Sequence, residues 1–238
     1  MTTLTPAQQA TVAATVQRMQ LARGLGDAEN ACSIAAINIA LSGELTDRIP
    51  DCMSEVIGNW IITIQDRMPD DMRNSSDWKR LLPLAAGTGR DHEPERLAIV
   101  MDWMWSALTM VQPIAAAGGF GSEWLAMCRE RSTTAAYATA AYATGSSAAL
   151  PAFSCRALSS ASAVAAAAAA WRAADVLAAT AASAASMAAA ATEAAVAAYA
   201  TAAYAARDAA RAAANAANAA DNWHAINPPA LLERLIEL

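Results

Sequence analysis

One glycine-rich segment has the composition of a ligand-binding loop. Gly87-Thr88-Gly89-Arg90 precedes a predicted helix, and such a loop can direct its backbone N–H groups toward an anion. The segment lacks the GxxxxGK[ST] pattern of a phosphate-binding loop, and no strand is predicted before it. Acidic side chains at positions 91, 93 and 95 already supply negative charge to the positive end of that helix. The segment is therefore interpreted either as a capped turn or as a ligand loop.

Tryptophans and isolated charges supply a second candidate site. Trp60, Trp78, Trp103 and Trp105 lie in predicted helices, and aromatic walls with a few convergent polar groups are typical of small-molecule pockets. The same tryptophans also fit a hydrophobic core in which nearby acids and arginines satisfy one another. The residues predicted to bind a ligand are Trp78, Arg80, Gly87, Thr88, Gly89, Arg90, Asp102 and Trp103.

The chain offers few groups for catalysis or metal binding. Its two histidines, His92 and His224, have no recognisable serine or cysteine partner. The four cysteines contain no CxxC pair, and neither E-x-x-H nor D-x-D-x-D occurs, so we predict no metal site and no cofactor. An enzyme is the less favoured interpretation, although a catalytic class without a recognised motif stays open.

Charge and hydropathy disfavour two classes of partner. The 238 residues carry 16 Lys+Arg and 22 Asp+Glu, for a net charge of −6, and no basic stripe follows the chain, which argues against a nucleic-acid polymer. The N-terminus has no basic segment followed by an apolar run, and the alanine-rich stretches are interrupted by charges and too weakly apolar for a bilayer. We therefore expect a cytoplasmic protein with no membrane contact.

The elements that must position these residues are all predicted to be helices. No alternating β-branched run lies between turn signals, whereas apolar residues recur at spacings of three and four between helix caps and breakers. The first two predicted helices run from Thr5-Pro6 to about Ala22 and, after Asp27, from Ala28 to Ser42. The later ones are a helix opened by Pro50-Asp51, a short helix around Trp78 with Pro83 inside it or just past it, a helix capped by Asp91, and one capped by Ser122 that runs through Tyr137 and Tyr142 to Gly145. The fold class is therefore an all-α multi-helix bundle with long alanine-rich C-terminal helices.

The C-terminal part of the chain is alanine-rich and free of helix breakers. Neither proline nor glycine occurs between Pro151 and Pro228, and alanine fills 38 of the 60 positions from 161 to 220. A straight helix of this length would span on the order of 100 Å. It must therefore either fold back near Ser183 to Ser186 or pair with another chain. We divide the protein into a Trp-rich helical domain, residues 1–131, and an alanine-rich region, residues 132–238, that packs on it or forms the interface of a homo-oligomer.

Polar residues in the alanine-rich region follow a helical spacing. One stripe has intervals of 4, 3, 4, 3 and 4 and consists of Tyr204, Asp208, Arg211, Asn215, Asn218 and Asn222; a second stripe runs from Val176 to Met187. The polar stripe either faces water or lines a groove, while the alanine face is the predicted helix contact. The peptide AAYATAAYA occurs twice, at 135–143 and 197–205. This repeat is either drift of a low-complexity tract or a shared Tyr/Thr surface.

The stretch from Arg48 to Leu97, RIPDCMSEVIGNWIITIQDRMPDDMRNSSDWKRLLPLAAGTGRDHEPERL, followed by an alanine-rich tail, resembles an uncharacterised group of phage and bacterial proteins. The resemblance implies, by analogy alone, a non-enzymatic inhibitor of a bacterial defence system. Such an inhibitor would sequester a small polar, nucleotide-like ligand or cap a protein partner. The alternatives are a purely structural helical assembly module and an enzyme of unrecognised class.

Overall fold

The computed structural model describes residues 4–117, 119–131 and 198–238, together with positions 135, 139, 180, 183 and 184. These residues form an all-α multi-helix bundle, as predicted, and their one β-type pairing is an isolated bridge between Gly26 and Ala31. The helices are α1 (Pro6–Arg18), α2 (Ser33–Ser42), α3 (Glu55–Gln65), α4 (Asp70–Arg73), α5 (Ser76–Ala85), α6 (Glu93–Thr109), α7 (Gln112–Ala117), α8 (Gly121–Glu130), α9 (Ala198–Ala219), α10 (Trp223–Ile226) and α11 (Pro228–Ile236).

The first helix begins where its caps predict and ends early. Thr5 and Gln8 form a reciprocal capping box, and Pro6 occupies the first turn. The predicted end at Ala22 is wrong, because α1 stops at Arg18. Beyond it, the Leu21 N–H donates to Asn74 Oδ1 at 2.7 Å, which draws this backbone toward a distant part of the chain.

The second helix begins at Ser33, five residues later than the predicted start at Ala28. The Asp27 carboxylate accepts hydrogen bonds from the N–H groups of residues 29 and 30, and this forms a tight turn in place of a helix cap. The helix α2 begins only at Ser33, where the preceding Cys32 Sγ accepts from the Ala35 N–H. Its end at Gly43, which adopts a left-handed φ of 76°, is confirmed.

Serine caps set the start of two further helices. Ser54, and not Pro50-Asp51, caps α3 by accepting from the Ile57 N–H. Ser75 caps α5, in which Pro83 lies inside the helix. In both cases the hydroxyl of the residue just before the helix accepts from the N–H three residues further on, which would otherwise be unpaired.

The later predicted boundaries differ more. The helix α6 begins at Glu93 with His92 in the cap position and no side-chain cap, so the Asp91 cap is wrong. The helix α8 ends at Glu130, since Arg131 adopts a left-handed φ of 53°. The predicted continuation through Tyr137 and Tyr142 lies outside the described residues, apart from positions 135 and 139, which are helical.

A tryptophan cluster forms the centre of the bundle. The Trp60 ring on α3 lies 5.9 Å from the Trp78 ring on α5 and 5.8 Å from the Trp103 ring on α6, measured between centroids. The Trp78 indole N–H donates to Ser33 Oγ at 3.1 Å, and the Trp103 indole N–H donates to the Ile226 carbonyl at 2.6 Å. The cluster therefore joins α2, α3, α5, α6 and α10.

The alanine-rich helix α9 packs against α3 and α6. Its contact face consists of alanines with no exposed surface: Ala205, Ala206, Ala209, Ala210, Ala212, Ala213, Ala214, Ala216 and Ala217. Such small side chains let helix axes approach closely and form many dispersion contacts over the length of the helix. The predicted polar stripe lies on the other side of α9, where its members are half-buried or exposed.

The C-terminal helices return to the first part of the chain. The helix α11 contacts α5 and α6, and the Leu235 carbonyl accepts from Arg96 Nε at 3.1 Å. None of the helices in the described ranges is both long and apolar enough to cross a membrane. The stripe from Val176 to Met187, the bend near Ser183 to Ser186 and the first AAYATAAYA copy fall largely outside the described residues and stay predictions, as does the domain boundary after residue 131.

Candidate functional site

The glycine loop at 87–90 uses its backbone N–H groups within the protein. The Gly87 N–H donates to Leu84 O at 3.1 Å, the Thr88 N–H to Ala85 O at 3.3 Å, and the Gly89 N–H to Cys52 O at 2.9 Å. These three donors are therefore not directed at a ligand. The geometry favours the capped turn over the anion loop.

Side chains of the same loop fasten it to the start of α3. Thr88 Oγ1 accepts from the Ser54 N–H at 3.1 Å and donates to Ala85 O at 2.8 Å. Arg90 Nη2 forms an ion pair of 2.8 Å with Glu55 Oε1. The loop is thus part of the scaffold around the N-terminus of α3.

A buried ion pair lies beneath this loop. Glu93 and Arg96 are each only 1% exposed, and Arg96 Nη1 lies 3.8 Å from Glu93 Oε1. Arg96 donates to Gly89 O at 3.0 Å and to Thr88 O at 3.1 Å, while Glu93 Oε2 accepts from the Val56 N–H at 2.8 Å. The pair holds the glycine loop, α3 and α11 together. Its spacing of three residues is visible in the sequence, but nothing local predicts that both charges are buried.

Burial controls the protonation of this pair. Loss of water raises the pKa of Glu93, and the Val56 N–H and the Arg96 charge oppose that rise only in part. Burial also lowers the pKa of Arg96, against the attraction of Glu93. The carboxylate form of Glu93 is therefore less favourable in the folded protein than in the unfolded chain.

A pH dependence of stability follows from Glu93. Above its ordinary pKa of 4.5 the unfolded chain loses this proton while the folded protein retains it, so the folded state binds more protons. The contribution of Glu93 to the free energy of unfolding therefore decreases as pH rises from 4.5 toward neutral. Glu93→Gln keeps an acceptor for the Val56 N–H but does not titrate. We therefore expect the difference in free energy of unfolding between the two proteins to shift in favour of Glu93→Gln as pH rises over this range. Urea unfolding of both proteins at several pH values measures the difference, and a constant difference would contradict the assignment.

The other predicted ligand residues separate into two groups. Trp78 and Trp103 are buried in the tryptophan cluster. Arg80 forms an exposed ion pair of 3.0 Å with Glu233, and Asp102 pairs with Arg131 at the surface. Together with the loop, the predicted set is thus distributed over a scaffold turn, the core and two surface ion pairs.

The described residues also form two surface clefts, which are lined by residues outside the predicted ligand set. One, of about 320 Å³, is lined by Asp71, Met72, Ser75, Asp77, His224, Asn227 and Pro229. The other, of about 450 Å³, is lined by Thr11, Thr15, Arg18, Met19, Ala28, Glu29, Ile39 and Ala40. Neither lining contains a residue of the predicted set.

No three His, Cys, Asp or Glu side chains of the described residues are placed to hold a metal ion. His224 lines the first cleft, whereas His92 is exposed at the start of α6. Burial raises the pKa of the Cys128 thiol to about 11, which keeps this sulfur protonated and unreactive near neutral pH.

A group of three arginines forms a positively charged surface between α3 and α9, which we call the arginine face: Arg67, Arg207 and Arg211. Burial lowers the pKa of Arg67, and the positive charges of Arg211 and Arg207 lower it further, while Asp66 opposes them. The charges of Arg207 and Arg211, four residues apart on α9, therefore act on Arg67 just beyond the end of α3. The sequence shows that Arg207 and Arg211 are four residues apart, but only the packing of α9 on α3 adds Arg67.

The arginine face is incompletely neutralised by its neighbours. Arg211 Nη1 pairs with Asp208 Oδ1 at 2.9 Å, and Asp208 Oδ2 accepts from Ser183 Oγ at 2.9 Å. Arg67 Nη1 donates to Thr63 O at 3.2 Å. Arg207 is exposed and forms no ion pair with any described residue. The arrangement can accept an anion through guanidinium N–H groups.

Comparisons of the chain with family models, with curated proteins and with solved structures find no match. The resemblance to a phage and bacterial group therefore stays a prediction. Among the described residues, the arginine face is the strongest candidate binding site.

Proposed function

We propose that this chain is a non-enzymatic binding protein that holds a small polar anion at the arginine face. The observation that carries the proposal is that Arg207 and Arg211 lie four residues apart on one face of α9, where Arg207 is exposed, and that their positive charges act on the half-buried Arg67. This occurs in a protein whose net charge is −6. Among the described residues, the acids that interact with these arginines are Asp66 and Asp208, so three positive charges face two negative ones.

Electrostatics favour an anion at this surface. The like charges of Arg207 and Arg211 on α9 and of Arg67 in the turn after α3 repel one another, and a bound anion replaces that repulsion with attraction. A guanidinium group is planar and forms paired hydrogen bonds to carboxylate or phosphate oxygens, so arginine is suited to such ligands. The half-buried position of Arg67 lowers the local dielectric and strengthens these interactions relative to a fully exposed site.

The biological setting that we propose is inhibition of a bacterial defence system in the cytoplasm, by sequestration of a small anionic signal. This part of the proposal is supported only by the resemblance of residues 48–97 to phage and bacterial proteins. Capping of a protein partner is the other form of the same function. Expression of the protein in bacteria that carry a defence system tests it: restored phage growth is expected, and unchanged phage growth across such systems would contradict it.

Removal of one charge from the arginine face should weaken anion binding. We expect Arg207→Gln to reduce the affinity for inorganic pyrophosphate by about tenfold, since a hydrogen bond to a charged group contributes about 1.5–3 kcal/mol. The substitution breaks no ion pair to the described residues and should leave the fold intact. Isothermal titration calorimetry of both proteins at low salt measures the change.

A matched variant separates this site from general charge effects. Arg129→Gln on α8 removes the same charge from an exposed position elsewhere, and we expect pyrophosphate affinity to stay within about twofold of the wild type. Equal weakening by both substitutions, or no detectable binding by the wild type at low salt, would refute the arginine face as the site.

Self-association is a further part of the proposal. The composition of the alanine-rich tract supports a homo-oligomer, since 38 of the 60 residues from 161 to 220 are alanine, whose small side chains allow close helix contact. Light scattering over a range of concentrations tests this. A mass above that of the 24.6 kDa chain is expected, and a monomer at every concentration would exclude the assembly module as well.

A further inference from the structure

The larger of the two surface clefts carries two opposite charges that do not pair with each other. We call it the α1–α2 cleft: its volume is about 450 Å³, and its lining includes Arg18 from the last turn of α1 and Glu29 from the turn before α2. Neither side chain forms an ion pair with any described residue. Arg18 Nε donates to Ala14 O at 3.3 Å, and its two terminal Nη groups have no partner in the described part of the chain. Both charges are therefore available to a ligand in a cleft of ordinary small-molecule size.

Hydrogen bonds fix the turn that carries Glu29. Asp27 Oδ1 accepts from the Glu29 N–H at 2.9 Å and from the Asn30 N–H at 2.8 Å. Gly26 adopts a φ of 75°, and a Cβ at this position would lie 1.9 Å from Asn30 O, so the turn requires glycine there. The backbone of Glu29 therefore has a fixed position beside the α1–α2 cleft.

A largely buried hydroxyl without a hydrogen-bond partner lines the same cleft. Thr15 is only 7% exposed, and its hydroxyl is not bonded to any described residue. Thr11, one turn earlier on α1, instead donates to Ala7 O at 2.9 Å. An unpaired hydroxyl in a buried position costs free energy, and a polar ligand atom beside it would remove that cost. Thr15 therefore indicates a polar ligand group between the two helices.

The rest of the lining is mostly apolar. Met19 is 8% exposed, and Ile39 and Ala40 on α2 are half-buried. An apolar group that packs against these side chains removes apolar surface from water. The α1–α2 cleft thus combines one cation, one anion, one unpaired hydroxyl and an apolar wall.

We propose that the α1–α2 cleft binds a free α-amino acid with an apolar side chain. Arg18 binds the carboxylate of this ligand through paired guanidinium N–H groups, and Glu29 binds its ammonium group. The Thr15 hydroxyl donates to a carboxylate oxygen of the ligand, whose apolar side chain lies against Met19 and Ile39. An anionic ligand would leave Glu29 unpaired, and a cationic ligand would leave Arg18 unpaired. The site shares no residue with the arginine face and goes beyond the function proposed above.

Blocked analogues of the amino acid test which charge of the ligand binds which residue. Leucine, methionine and phenylalanine are titrated calorimetrically, and the one that binds most tightly is compared with its amide and its N-acetyl derivative. We expect the free amino acid to bind the wild type at least about tenfold more tightly than either analogue, since each analogue lacks one charge. Arg18→Gln should remove the advantage over the amide, and Glu29→Gln should remove the advantage over the N-acetyl derivative.

Two further variants test the hydroxyl and the position of the charge. Thr15→Val keeps the shape of the side chain, and we expect it to weaken amino-acid binding about two- to tenfold. It should not lower the free energy of unfolding measured in urea, because the hydroxyl that it removes is unpaired among the described residues. Arg129→Gln removes an exposed arginine that lies outside the lining, and affinity should stay within about twofold of the wild type.

Four results would overturn the inference. They are absence of binding by all three amino acids, equal affinity of the wild type for the free amino acid and both analogues, equal weakening by Arg18→Gln and Arg129→Gln, and tighter binding of a leucyl dipeptide than of any free amino acid. Unchanged affinity in Thr15→Val would overturn the role of its hydroxyl. Pyrophosphate affinity should be the same in Arg18→Gln and the wild type, so failure of either site is seen separately from the other.

Discussion

Replacing Arg96 with methionine should lower the free energy of unfolding by about 3–5 kcal/mol, the usual cost of leaving one partner of a buried ion pair alone. Methionine fills much of the same volume but cannot donate to Leu235 O, Gly89 O or Thr88 O. It also leaves the Glu93 carboxyl buried beside no cation. The variant would therefore lose the Arg96 guanidinium, which joins α6 to both α11 and the glycine loop.

Urea unfolding followed by circular dichroism measures this effect, with two variants as controls. Arg80→Met removes an exposed arginine that pairs with Glu233, and we expect a change of about 0–1 kcal/mol. Adding Glu93→Gln to Arg96→Met should recover part of the loss, since the unpaired buried charge is then absent. Similar losses in Arg96→Met and Arg80→Met would show that the buried pair does not hold the fold together.

Trp60→Ala should destabilise the protein by about 3–5 kcal/mol, the range for removal of a large aromatic side chain from a core. Trp60 has no exposed surface and contacts the rings of both Trp78 and Trp103. Truncation leaves a cavity at the junction of α3, α5 and α6 and removes two aromatic pairs, each contributing about 0.5–1.5 kcal/mol beyond its buried area. Thermal and urea unfolding of the variant measure the loss.

Tryptophan-to-phenylalanine variants separate packing from hydrogen bonding in this cluster. The Trp60 indole N–H has no hydrogen-bond partner among the described residues, whereas the Trp103 N–H donates to Ile226 O. We therefore expect Trp103→Phe to cost about 1–3 kcal/mol more than Trp60→Phe, because it leaves a buried carbonyl unpaired. Equal losses, or a smaller loss in Trp103→Phe, would contradict this assignment of the indole contacts.

The predicted helix boundaries succeed where the signals are local. The Thr5-Pro6 start and the Gly43 end each depend on a hydrogen bond or a backbone preference within a few residues. The start at Asp27 is wrong because its carboxylate can cap either a helix or a tight turn, and the turn is what forms. The choice between helix cap and tight turn depends on tertiary packing, which the local sequence does not show.

The candidate site illustrates the same limit. The glycines, Thr88 and Arg90 are correctly recognised as a break before a helix, but their donors prove to be bonded to the chain itself. The arginine face was not predicted, because Arg67, in the turn after α3, and Arg207, on α9, are far apart in the sequence. The spacing of Tyr204, Arg207 and Arg211 was the one available signal, and it marks a shared helix face without saying what lies opposite.

By itself, the sequence determined that this protein is all-α, where several helices begin and end, and that an alanine-rich helix follows a Trp-rich part. These properties depend on backbone propensities and caps that act over three or four residues. Only the tertiary structure decided that Glu93 and Arg96 are buried, that α9 packs its alanines on α3 and α6, and that the arginine face forms. Contacts such as Arg96 with Leu235, 139 residues apart, depend on how whole helix faces pack, and burial then sets the energy of every charge that they enclose.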